Sequence, residues 1–98
     1  VLDRVIPDTG ADACSLPWVD CQRIQFDLSK GRPGRIGGVA GWGSPTIWFQ
    51  VFVEIDGREL PCRLHVDFVG SERILGRDVL NRLEVLFRGP ASEVVVNP

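Results

Sequence analysis

Apolar and polar positions alternate most clearly between Thr46 and Phe68. Val51, Val53 and Ile55 interleave with Gln50, Phe52, Glu54 and Asp56; beyond Asp56-Gly57, Leu64, Val66 and Phe68 interleave with Arg63, His65 and Asp67. A period of two is that of a strand with one covered face. Asp-Gly readily takes the positive φ angles of a tight turn, so the stretch predicts a β-hairpin. The same alternation places His65 on the charged, solvent-facing side. Elsewhere glycine and proline separate short segments rich in Val, Ile, Phe and Trp, which read as further strands. Helical spacing follows Gly76, where Leu75, Val79, Leu80 and Leu83 recur with Asp78 near the start, predicting about two turns of helix. Val85 and Phe87 then alternate with Leu86 and Arg88, Gly89-Pro90 turns the chain, and Val94 to Val96 form a last strand. Residues 22 to 35 are polar and include Lys30-Gly31-Arg32-Pro33-Gly34, which predicts a turn-rich connection. The expected architecture is all-β with one short C-terminal helix.

Length and composition narrow the possibilities. The 98 residues suffice for one domain, 1–98, with one core and no second lobe. No internal repeat is visible, so this chain cannot supply both halves of a symmetric site. A net charge of -2 with interspersed signs offers no footprint for nucleic acid, and no apolar run approaches a membrane span. Cys14, Cys21 and Cys62 fit neither a disulfide framework nor a paired Cys-x-x-Cys motif. Reduced thiols in a cytosol-like compartment are the expectation, and a metal held by these cysteines with His65 would match no recurrent spacing. The chain starts at Val1 rather than Met, and an upstream N-terminal segment is expected to be missing.

Candidate chemistry begins at Val5-Ile6-Pro7-Asp8-Thr9-Gly10-Ala11-Asp12. An acid, a hydroxyl and a glycine follow an apolar segment, an arrangement that suits an ordinary turn as well as an active site. Arg35 to Gly43 is a glycine-rich stretch between candidate strands, without the Gly-Lys-Ser/Thr ending and following helix of a phosphate loop. It reads as a flap or as a plain hairpin tip. Ile74-Leu75-Gly76-Arg77-Asp78 is a strand-to-helix junction, unremarkable alone.

Together and in this order, these three elements resemble the retropepsin-like aspartic proteases, over about Val5 to Phe87. In that family Asp-Thr-Gly-Ala, often followed by Asp, carries the catalytic acid, and here it stands as Asp8 to Asp12. A Gly-Gly-x-x-Gly flap tip is matched by Gly37 to Gly41, a hairpin by Thr46 to Phe68, and an Ile-Leu-Gly-Arg-Asp-like junction by Ile74 to Asp78. The resemblance implies a closed β-barrel of the acid-protease type and an aspartic endopeptidase active as a homodimer, without cofactor or metal. Asp8 would be the catalytic residue, supported by Thr9, Gly10, Ala11, Asp12 and Arg77. Gly37, Gly38, Val39, Ala40 and Gly41 would cover an extended peptide substrate. Asp12 and Arg77 would form a partly buried ion pair behind the loop. The alternative is a dimeric binding or assembly module of the same fold without hydrolysis. Two departures stand out: only seven residues precede Asp8, where an additional β-segment is usual, and Pro7 replaces the more usual aliphatic residue.

Overall fold

A computed structural model describes residues 2–36 and 43–97. Among the described residues, six strands form one sheet and two more form a separate ribbon. β1 (Val5–Pro7), β2 (Cys14–Pro17), β3 (Arg32–Ile36), β4 (Ser44–Ile55), β5 (Arg58–Asp67) and β6 (Arg73–Leu75) lie in the order β1-β6-β2-β5-β4-β3. β1 runs parallel to β6 and β2 parallel to β5, while β2–β6, β5–β4 and β4–β3 are antiparallel. This mostly β architecture agrees with expectation, but no pairing among the described residues joins β1 to β3 and closes a barrel.

The predicted hairpin is β4–β5. Ile55 pairs with Arg58, leaving Asp56 (φ 53°) and Gly57 (φ 72°) as a two-residue turn with both φ angles positive, the form whose twist matches the strands it joins. Leu60, Cys62, Leu64 and Val66 of β5 face the core with Cys14, Leu16 and Val79.

His65 is buried, contrary to the alternation. β5 is central: Trp48 of β4 lies opposite His65 on one side and Ser15 of β2 on the other. With its second face also covered, the strand has no solvent side at that position. Burial, and next the Arg63 charge, lower the His65 pKa below 6.5.

Two further expectations need correction. The stretch 22–35 is largely structured: α1 (Trp18–Ile24) reaches into it, a 3-10 turn spans Leu28–Lys30, and β3 begins at Arg32. Pro33 and Gly34 are tolerated because β3 is an edge strand, and a Cβ on Gly34 would stand 2.7 Å from Cδ1 of Trp48. The helix after Gly76, α2 (Arg77–Leu80), is a single turn rather than two. Its Val79 and Leu80 are buried as predicted. β7 (Val85–Arg88) and β8 (Glu93–Val96) pair antiparallel across a 3-10 turn at Gly89–Ala91, in agreement with the terminal strands read from sequence. No helix among the described residues is long and apolar enough to cross a membrane.

Candidate active site

The Asp8 loop connects β1 to β2. Pro7 ends β1 opposite Leu75 of β6, and its missing N–H costs little because β1 is the sheet's other edge. Immediately afterwards the Asp8 N–H donates to the Leu75 carbonyl at 2.9 Å. The chain then turns back, with Ala11 N–H donating to the Asp8 carbonyl at 3.2 Å and Gly10 N–H to Asp8 Oδ1 at 2.8 Å. A Cβ on Gly10 would lie 3.2 Å from that carboxylate oxygen, so a side chain there would crowd the acid. Asp8 and Thr9 are both exposed.

The loop is seated on the β6–α2 junction. Arg77 N–H donates to the Ala11 carbonyl at 2.8 Å and Asp78 N–H to the Asp12 carbonyl at 3.3 Å. These are donors of the first helical turn, which have no partner within the helix; the loop supplies one. Gly76 makes the approach possible, since a Cβ there would fall 2.2 Å from the Ala13 carbonyl oxygen. Backbone contacts thus join two motifs more than sixty residues apart. Asp8, Thr9, Gly10, Ala11, Asp12 and Arg77 come together, whereas Gly37, Gly38, Val39, Ala40 and Gly41 lie outside the described residues. On either side of that stretch Ile36 pairs with Ser44, and Arg35 donates to the Gly43 carbonyl at 2.8 Å.

Arg77 does contact Asp12, but the pair is exposed, with side chains 48% and 85% accessible. The expected partial burial is therefore not found, and an ion pair this exposed contributes little to stability. Among the described residues, a more buried ion pair joins Asp20 of α1, nearly inaccessible, to the partly buried Arg73 of β6, bidentate at 2.8 and 2.9 Å. Arg73 continues to the Asp3 carboxylate at 2.9 Å and thereby ties the start of the chain to the sheet. Hydrogen bonding to Arg73 lowers the Asp20 pKa below 3.8. Neither partner stood out in the sequence, since they lie far apart and Asp20 interrupts an apolar run.

Behind the loop, Cys14 is buried between Cys62 and Asp78. Its thiol donates to Asp78 Oδ1 at 3.4 Å, and the Gly76 N–H donates to its sulfur at 3.4 Å. Hydrogen bonding with Cys62, reinforced by burial, raises the Cys14 pKa far above that of a free thiol. All three cysteines are free.

No family model matches the chain, and no curated protein matches it in sequence. Solved structures do match. A retropepsin-like aspartic protease from Rickettsia conorii superposes with a TM-score of 0.68 at 27% identity, covering 92% of this chain and 69% of that one. EIAV protease, in complex with the inhibitor HBY-793, gives a TM-score of 0.53 at 31% identity, covering 80% of this chain and 73% of the viral one. With that degree of identity to one protease and a shared fold with both, the chain belongs to the retropepsin-like aspartic protease family.

Proposed function

We propose that this chain is one half of a homodimeric aspartic endopeptidase whose catalytic group is the Asp8 pair. The observation that carries this reading is how Asp8 is presented. Its loop is clamped from behind by backbone hydrogen bonds to Leu75, Arg77 and Asp78, and the carboxylate remains exposed at the outer side. A carboxylate so placed can meet its copy across a twofold axis. The chain contributes a single Asp-Thr-Gly, so the second acid must come from another copy.

Two adjacent carboxyl groups cannot both ionise, and the pair shares one proton. The ionised Asp8 takes a proton from water as the water oxygen attacks the scissile carbonyl carbon. The protonated Asp8 gives its proton to the carbonyl oxygen. Collapse of the tetrahedral intermediate breaks the C–N bond: the protonated Asp8 gives its proton to the departing nitrogen while the ionised Asp8 takes one from a hydroxyl of the intermediate as the carbonyl re-forms, which restores the singly protonated dyad. Gly10 keeps side-chain atoms away from this centre, and Thr9 is assigned the contact across the axis by resemblance. The substrate is an extended peptide lying as an added strand, held by main-chain hydrogen bonds. Residues 37–41 take the covering role by the same resemblance. Leu86, Phe87 and Val94 of the β7–β8 ribbon are exposed apolar side chains, and a second copy would remove them from water.

The test is cleavage of unstructured peptides at mildly acidic pH by the wild type and by Asp8→Asn. The wild type is expected to cleave and the variant to lose all hydrolysis while keeping its fold and its dimerisation. Equal cleavage by both would defeat the proposal, as would a verified wild-type dimer that cleaves nothing across a broad peptide library.

A further inference from the structure

We propose that Cys14, Cys62 and Asp78 form a binding site for one thiophilic divalent metal ion, of which Zn(II) is the type. The Sγ atoms of the two cysteines and a carboxylate oxygen of Asp78 lie within 4.8 Å of one another. Around a tetrahedral zinc with bonds of about 2.3 Å to sulfur and about 2.1 Å to oxygen, donor atoms stand about 3.6 to 3.8 Å apart. Cys14 Sγ and Asp78 Oδ1, at 3.4 Å, already approach that separation.

The surroundings suit ligation. Asp78 is held by two backbone donors, Arg63 N–H to Oδ2 at 2.8 Å and Val79 N–H to Oδ1 at 2.9 Å. Gly76 N–H points at the Cys14 sulfur, a contact that stabilises the thiolate a metal requires. Such outer hydrogen bonds orient ligands and tune their donor strength. Both cysteines are buried, which favours soft sulfur ligation over a hydrated, oxygen-bound ion.

A disulfide is the competing use of two neighbouring thiols, and strand register disfavours it. Cys14 of β2 pairs with Leu64 of β5, so Cys62 is its diagonal neighbour, two residues along. Strand spacing and rise put such Cα atoms about 8 Å apart, beyond the roughly 4.4 to 6.8 Å that a disulfide spans. A metal ion bridges the longer gap. On binding, each ligating thiol releases its proton to solvent, and the charge of two thiolates and a carboxylate is largely offset by the ion. Because the ligands come from β2, β5 and α2, the ion would cross-link the elements on which the Asp8 loop rests.

The test uses the full chain, reduced and stripped of metal, titrated with Co(II) as a spectroscopic probe and with Zn(II) as competitor. The expected result is a sulfur-to-cobalt charge-transfer band that saturates at one ion per chain. Zinc should bleach that band and raise the melting temperature. Cys62→Ser should abolish the band, whereas Cys21→Ser, which alters the cysteine outside the cluster, should retain it. Should Cys62→Ser fail to fold, band intensity in the wild type must correspond to two thiolates. Absence of the band in folded wild type, its persistence in folded Cys62→Ser, or its loss in folded Cys21→Ser would overturn the assignment.

Discussion

The Asp8 loop and the β7–β8 ribbon are held in opposite ways. The loop is exposed at its tip yet pinned by main-chain bonds to Leu75, Arg77 and Asp78, with buried Cys14 and Val79 beneath it. The ribbon pairs strand to strand but forms a sheet of its own and leaves Leu86, Phe87 and Val94 in water. On the proposed reading, the contrast separates what one chain completes alone, the seating of Asp8, from what a second copy would complete, the burial of the ribbon's apolar surface.

The largest structural effect should follow from breaking the loop's seat. Gly76→Ala places a Cβ against the Ala13 backbone, which cannot yield as a flexible side chain would, and should cost about 3 kcal/mol in denaturant unfolding. If stability is instead unchanged, the seat is not what positions Asp8. Phe87→Ser should act on assembly rather than on the fold, because Phe87 is half exposed within a single chain. Sedimentation should then show the dimer dissociation constant raised by about tenfold or more, with secondary structure unchanged.

A smaller effect concerns pH. Because the His65 pKa lies below its unfolded value of 6.5, the unfolded chain binds more protons as pH falls through that value, and stability falls with it. The melting temperature of His65→Gln should therefore decline less than that of the wild type between neutral pH and about pH 5.5. Parallel declines would assign the acid sensitivity to other groups.

Much of this was legible in the sequence where physics is local. The β4–β5 hairpin follows from strict alternation and from an Asp56-Gly57 pair suited to positive φ. The junction at Gly76 follows from a motif whose glycine meets the Ala13 backbone. What escaped depended on distant partners. α1 carries exposed Val19 and Ile24 and a buried Asp20, the reverse of an amphipathic helix pattern, because Arg73 from β6 compensates the acid. His65 follows the alternation of a one-sided strand, but β5 lies between β2 and β4 and is buried on both faces over Leu64 to Val66, although Arg63 on the same face stays exposed. The Asp12–Arg77 contact could be read from the motifs, whereas its exposure depended on what the rest of the chain leaves uncovered.

The central claim, that two chains each give one Asp8 to a single catalyst, is tested most directly by mixing. Wild-type and Asp8→Asn chains are combined at fixed total concentration, allowed to exchange subunits, and assayed for peptide cleavage. A shared dyad predicts that an equal mixture retains about one quarter of the all-wild-type rate, since only dimers with two intact acids work. Retention of about one half would mean that each chain acts on its own, and would contradict the account.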